Sequence, residues 1–416
     1  MQLKQKKIIG LLSTATCSLL CAPVQAEQGD WEIDSAILYY AEDDDRIQAI
    51  EPVVNARRDL GDEEALSFKI VLDSLTGSSA SGAVPSSQVQ TFTRPSGNGT
   101  YQVASNETPL DPSFKDTRVA LSSSWEKPIN RNNRGTYGIN LSQEYDFTSI
   151  AANAVWQTDT NQKNTTWSYG FNIELDEIDP VGNVPDPLTS LEDQNKGSAT
   201  ESREILDLIF GVTQVIDRTS LFQVNLSLSE ADGYLTDPYK IVSVVDDVSG
   251  EPVDQLFEKR PDSRSRQALF GKYKKSFEND DVLTASYRYM TDDWGIDSHT
   301  FDVNYRFKFS HGYYIQPRLR YYQQSAADFY RYFLLDSESV PQEVSADYRL
   351  GEMEATTIGF KFGREITAQH SWAVRLEQYT QSGDGSPSEA VGQLRQQDLY
   401  PDVTATIVQL SYSFVF

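Results

Sequence analysis

The chain has 416 residues, with 61 acidic side chains against 36 basic ones and a formal net charge of −25. A polyanion of this kind is not drawn to nucleic acid. Its two cysteines, Cys17 and Cys21, both lie near the N-terminus, and no apolar run after Ala26 approaches the roughly 18 residues of a membrane-spanning helix.

Taken in chain order, the first element is a predicted secretory signal over residues 1–26. Lys4, Lys6 and Lys7 precede an apolar run from Ile8 to Cys21, and Val24-Gln25-Ala26 supplies small residues at a cleavage site after Ala26. Leu20 stands where lipidation of Cys21 would want a small residue. Removing three lysines and no acid takes −25 to −28, and leaves a mature chain with no thiol, disulfide or cysteine metal site. Residues 27–416 are expected to form a single domain.

That domain reads as alternating strands. Trp31, Ile33, Ile37 and Tyr39 oppose Glu32 and Asp34. Trp167, Tyr169, Phe171, Ile173 and Leu175 oppose Ser168, Gly170, Asn172, Glu174 and Asp176. Sixteen segments of this kind begin near Trp31, Arg46, Ala65, Arg118, Thr136, Ser149, Thr165, Glu204, Ser220, Ser265, Asp281, Thr300, Tyr313, Gly351, Ser371 and Val403. Pro52 makes the segment near Arg46 the least regular. A period of two with one apolar, aromatic-rich face suits a strand between lipid and a polar lumen. The 22 Tyr, 19 Phe and 6 Trp match the needs of interfacial girdles.

The connectors alternate in length. Leu60 to Glu64, Ile129 to Gly135, Asp159 to Asn164, Asp217 to Ser220, Glu278 to Asp281, His311-Gly312 and Thr367 to His370 are short. Ser74 to Asp116, Asp179 to Arg203, Glu230 to Asp262, Ser325 to Leu350 and Ser382 to Asp402 are long. Short periplasmic turns and long external loops are the outer-membrane pattern. The Gly-, Ser- and Pro-rich connector from Ser74 is expected either to enter the lumen or to stay mobile. The final strand places Phe416, Phe414 and Tyr412 on its apolar face and resembles the assembly signal of bacterial outer-membrane proteins. A soluble sandwich would not sort its loops by length. The expected fold is therefore an all-β, transmembrane, antiparallel up-and-down β-barrel of about sixteen strands, with both termini in the periplasm.

Several stretches carry a wider resemblance. They include SQEYDFTS from Ser142, NTTWSYGFNIELDEIDPVG from Asn164, GYLTDPYK from Gly233, EKRPDSRSRQ from Glu258 and SADYRLGEME from Ser345. Together with similar stretches along the mature chain, they resemble a family of uncharacterised outer-membrane proteins of Gram-negative bacteria. The resemblance implies an outer-membrane location, no established activity and no catalytic residues. It also implies a genomic setting near flavin-transferase and thioredoxin-like genes, and so a redox-cofactor-maturation context.

Catalytic chemistry has little to build on. With three histidines in the chain, the one candidate rim is His299 with Ser298, Asp292 and Asp293, where an aspartate–histidine pair could activate a water. The competing reading is an acidic turn capped by hydrogen bonds, and it is favoured. Asp43-Asp44-Asp45 and the group Asp232, Asp237, Asp246 and Asp247 read as solvated acids more readily than as cation ligands, and no metal or other cofactor is expected. Arg260 and Arg264 are rim candidates for anionic or sugar ligands, against the alternative that they bridge loops or anchor strands.

The inward faces give the last expectation. Glu32, Asp34, Asp73, Glu144, Glu174 and Asp176 fall on early strands. Arg288, Arg306, Lys308, Arg318, Arg320, Lys361 and Arg375 fall on later ones. Two walls of opposite sign facing across the lumen would orient polar solutes. The competing reading is that these charges pair locally and fill the barrel. The expected role is a porin-like channel or binding barrel for small polar solutes, in contact with outer-membrane lipid and the barrel-assembly machinery. The alternatives are a non-transporting scaffold for a periplasmic or surface partner, in the redox-cofactor setting, and a surface hydrolase near His299. The sequence leaves the oligomeric state open.

Overall fold

The computed structural model describes residues 29–44 and 46–416. The predicted signal at 1–26 and Asp45 lie outside these described residues.

Twenty-one strands follow in chain order. The first group is β1 (Trp31–Glu42), β2 (Gln48–Gly61), β3 (Glu64–Ala80), β4 (Gln90–Thr93), β5 (Thr100–Val103), β6 (Leu110–Asn130) and β7 (Asn133–Gln143). Next come β8 (Phe147–Thr160), β9 (Thr165–Ile178), β10 (Glu201–Asp217), β11 (Ser220–Gly233), β12 (Ile241–Val245), β13 (Pro252–Phe257) and β14 (Ser263–Ser276). The last are β15 (Val282–Asp292), β16 (Asp297–Lys308), β17 (Tyr313–Gln324), β18 (Leu334–Leu335), β19 (Met353–Glu365), β20 (His370–Gly383) and β21 (Val403–Val415). Sixteen of them, all but β4, β5, β12, β13 and β18, form one closed barrel in chain order. Each of the sixteen predicted segments has its strand.

The ladder closes where β21 meets β1, from Glu32 opposite Val415 to Glu42 opposite Ala405. Trp31 N donates to Phe416 O at 2.8 Å, and Phe416 N returns the bond to Trp31 O at 3.0 Å. Closure leaves no open edge, the condition for a sheet in lipid. Pro52 interrupts only one of its two ladders: β2–β3 pairing skips from Ile50–Ser74 to Val53–Val71, while Pro52 still stands opposite Ile37 on β1. Pro317 does the same between β16 and β17. A proline lacks one donor, so it costs a bond on one side alone.

The outer face is apolar along every barrel strand, as the alternation predicts; Ile70, Phe171, Leu175, Leu319, Ile358 and Leu410 are among its exposed side chains. Aromatic rings girdle both ends. At the end with short turns, Phe414 stacks on Phe416 at 5.6 Å and on His370 at 6.5 Å, with Tyr412 at 5.9 Å. At the end with long loops, Tyr287 packs on Phe301 at 4.6 Å and on His299 at 6.0 Å. These features define a membrane-spanning barrel.

The barrel does not stop at the membrane. β3 and β6 run 17 and 21 residues, well beyond the roughly 10 that cross a bilayer. The connector expected from Ser74 to Asp116 is therefore shorter, residues 81–109, and it carries structure of its own: β4 and β5 pair within it as a hairpin.

Candidate functional site

Five long loops fold together above the barrel. Their roots lie between β3 and β6, β9 and β10, β11 and β14, β17 and β19, and β20 and β21. At the centre is β12, antiparallel to β13 and parallel to β18, which belongs to another loop. Ile241 N donates to Ser81 O at 3.0 Å, and Val84 N donates to Ser243 Oγ at 3.0 Å. Val84, Val245, Phe333, Ala390 and Leu394 form one apolar cluster drawn from four loops. Ala83, Tyr101, Leu191, Ile241 and Phe257 belong to another, drawn from three. In a ring of sixteen, the β9–β10 root is diametrically opposite the β20–β21 root. A shared core fed from opposite sides of a ring lies over its opening, so the loops form a cap across the mouth.

Two of these loops are joined by a buried ionic cluster. Asp237, Lys240, Glu258 and Arg260 come from the β11–β14 loop; Asp347 and Arg349 come from the β17–β19 loop. Arg260 Nε lies 2.6 Å from Glu258 Oε1, and its Nη2 donates to Asp347 Oδ2 at 2.8 Å. Arg349 Nε donates to Asp347 Oδ1 at 2.7 Å, and its Nη2 reaches Asp237 Oδ2 at 3.1 Å. Ser345 Oγ donates to Glu258, and Lys240 Nζ donates to Ala80 O at the end of β3. Glu258 and Asp347 are 1% exposed. Burial opposes ionisation of Asp347, but Arg349, Lys240 and Arg260 outweigh it and hold the carboxyl well below the ordinary carboxylate range. Asp237 is lowered against its own burial in the same way, chiefly by Arg349 and Lys240. Burial pushes Glu258 up, with Arg260 opposing.

Beneath the cap, strand register sets the inner wall. On β16, β17, β19 and β20 the inward residues stand in rows: Asp302–Arg320–Thr357–Tyr379, then Asn304–Arg318–Gly359–Glu377. The next row brings Gln316, Lys361 and Arg375. One row nearer the cap come Arg288, Thr300 and Tyr322. Successive inward levels are about 7 Å apart along a strand. Cations thus occur at every level from Arg288 down to Lys361 and Arg375.

Their pairing is uneven. Arg318 Nη2 donates to Asp302 at 2.5 Å and its Nη1 to Glu377 at 3.1 Å. Glu377 reaches Arg318 across an intervening strand because Gly359 stands between them; a Cβ there would meet Glu377 Cγ at 2.6 Å. Arg306 bonds Glu365 at 2.7 Å and lies 3.7 Å over the Tyr314 ring. Arg375 is 3.9 Å from Glu377. Among the described residues, Arg288, Arg320 and Lys361 enter no ion pair. Asp302, the carboxylate opposite Arg320 in register, is already bound by Arg318.

Several expected placements need correction. On the early strands the competing reading of local pairing holds, Asp73 with Arg118 and Asp176 with Arg203, while Glu174 accepts from Ser149 Oγ at 3.1 Å. Glu144 is buried at the turn beyond β7. Glu32 and Asp34 lie beside the basic strands rather than across from them, since β1 is two strands from β20; Asp34 acts on Lys361. Lys308 reaches Asp280 at 3.5 Å in the short-turn rim and is half-exposed, so it belongs to the rim rather than the lumen. His299 faces outward among rings, with Nδ1 2.7 Å from Tyr287 Oη, and Ser298 points inward. Asp292 binds Arg264 and accepts from Trp294 N and Ile296 N, while Asp293 accepts from Ser265 N. The hydrolase constellation is therefore not assembled. Arg260 is inside the ionic cluster, and Arg264 stacks on Trp294 at 4.3 Å while paired with Asp292; neither presents itself to a ligand.

The fold and site define a class: a sixteen-stranded transmembrane barrel with a charged lumen and a loop cap. The chain belongs to the family described as a protein of unknown function (DUF3570), which it matches over residues 9–414. No curated protein matches it. Among solved structures it is similar to the CymD monoaromatic hydrocarbon channel, at 9% identity and a TM-score of 0.42 over 94% of this chain and 90% of that one. It is also similar to a bacterial polysaccharide outer membrane secretin, at 8% identity and 0.44 over 94% and 98%. A third is OccK5 (OpdH) of Pseudomonas aeruginosa, at 9% identity and 0.41 over 94% and 99%.

Proposed function

We propose that this protein is a porin-like barrel of the bacterial outer membrane that admits small polar solutes and favours anions. The observation that carries the reading is the run of inward cations on β15 to β20, three of which are without an ion pair among the described residues. A wall of this kind raises the local concentration of anions in a low-dielectric pore. The short-turn end and both termini lie in the periplasm, the cap faces the cell surface, and the barrel-assembly machinery recognises the strand ending in Phe416.

The test is purified protein in a planar bilayer under a KCl gradient. The expected reversal potential has the sign of anion selectivity. Replacing Arg318 and Arg320 together by Ala should shift it toward cations, because Asp302 and Glu377 then lose their counter-charge. The shift should be larger at low salt, where screening is weaker. The cap favours a second reading, a non-transporting scaffold for a surface or periplasmic partner. Stable insertion with no conductance, both in the wild type and in a variant with the cap released, would replace the channel by the scaffold.

A further inference from the structure

We propose that Arg288 and Arg320, walled by Tyr322 and Tyr379, form a discrete oxyanion site under the cap for the carboxylate or phosphate group of a small solute. The proposal rests on the channel reading for its biological use, though not for its chemistry.

Most inner-wall arginines are matched to carboxylates. Arg118, Arg134, Arg203, Arg264, Arg306 and Arg318 each have one within 3.1 Å. Arg288 and Arg320 enter no ion pair among the described residues, and they share one wall, two strands and one inward level apart. In register, Arg288 stands opposite Phe270 on one side and Thr300 on the other. Arg320 stands between Asp302 and Thr357, and Asp302 is committed to Arg318. Tyr322 shares the row of Arg288 and is the next inward residue above Arg320 on β17, so it stands between the two positions.

The two tyrosines do not satisfy the arginines. Tyr322 Oη donates to Gln324 Oε1 and Tyr379 Oη donates to Gln381 Oε1, both at 2.6 Å. Their hydroxyls are thereby fixed, and they bring no negative charge. A guanidinium cannot shed its proton to escape a like-charged neighbour. Two such groups on one wall, half-buried and without an ion pair among the described residues, are relieved by an anion from solution. Planar forks with several donors each match carboxylate and phosphate oxygens in a way that one lysine would not. The tyrosine rings then exclude water from one side of the bound group, which strengthens those bonds.

The test measures binding apart from conduction. Detergent-purified full-length barrel is titrated calorimetrically at low ionic strength, once with inorganic phosphate and once with succinate. Saturable binding of either probe, weakened at least tenfold in R288Q and in R320Q, supports the site, and the better probe identifies the oxyanion. R58Q is the control, since Arg58 lies on the outer face over Trp31 and should leave binding unchanged. Heat-modifiable migration verifies that each variant is folded; R288K and R320K serve if a neutral replacement fails that check, and should bind less tightly because the fork is lost. No saturable binding of either probe, or equal affinity in wild type and variants, overturns the site. Binding without conductance leaves the site standing and removes the channel reading. Anion-selective conductance without saturable binding does the reverse.

Discussion

Removing one carboxylate should open the cap without unfolding the barrel. Asp347 is the carboxylate to remove, because two buried guanidiniums from different loops converge on it. In Asp347→Ala, Arg260 keeps Glu258 and Arg349 keeps Asp237, but the neutral cluster of three acids and three bases becomes a buried cation. Truncating one partner of a buried ion pair costs about 3–5 kcal/mol. At about 1.4 kcal/mol per tenfold change, the population of open caps should rise by roughly two to three and a half orders of magnitude. Trypsin applied to intact cells reads this directly, since Lys240 is buried in the closed cap and becomes cleavable in the open one. The barrel ladder involves none of these residues, so heat-modifiable migration should persist. Cleavage within twofold of wild type, or loss of the barrel along with the cap, would refute the reasoning.

Three further outcomes follow from the same geometry. The depressed Asp347 and Asp237 stabilise the closed cap fully above their ordinary value of 3.8, and that support is lost as pH falls below it; Glu258, being raised, acts with the opposite sign. Amide exchange in Ile241–Val245, corrected for intrinsic rate, should accelerate on going from pH 5 to pH 3, and a flat profile would count against the cluster as a latch. In Gly359→Leu the new Cβ would meet the Leu376 carbonyl oxygen at 2.3 Å as well as Glu377, so β19 and β20 must shift and Glu377 is forced from Arg318; heat-modifiable migration should be lost at a lower temperature than in the wild type, and an unchanged unfolding temperature would show that the close approach at Gly359 is not needed. Deleting Phe416 removes the backbone pair with Trp31 and one ring of the girdle, so outer-membrane levels should drop at least several-fold by immunoblot of separated membranes, and unchanged levels would exclude a role for this residue in assembly.

Strand number and sidedness were legible because lipid imposes alternation at every position. Trp167 to Leu175 show it with no exception, and all sixteen segments are found. Boundaries at the long-loop end were less so. β6 begins at Leu110 rather than near Arg118, since beyond the membrane the strand no longer needs an apolar face. Charge sign by strand was readable, but pairing was not, because Asp73–Arg118 and Asp176–Arg203 depend on register between strands. The cap's ionic cluster joins residues about ninety apart in sequence, and only its repeated pattern of acid, spacer, arginine at Glu258–Arg260 and Asp347–Arg349 marks it in the chain. The favoured reading of the rim near His299 as a capped acidic turn agrees with the structure, but the rings of Tyr287 and Tyr289 that hold His299 on the lipid face could be placed only by strand register.

The way β12 is built has a consequence for biogenesis. It draws its backbone partners from its own loop, from the loop after β17 and from the end of β3, segments that lie far apart in the chain. Those segments meet only once β3, β11 and β17 have taken their places in the sheet, so the cap forms late in assembly. Contacts of such long sequence separation form late and slowly. Until then β12 is an apolar strand with unpaired edges, open to pairing with other chains. A finished cap is therefore a record that most of the ring is in place, and the interval before it forms is when the chain most needs shelter.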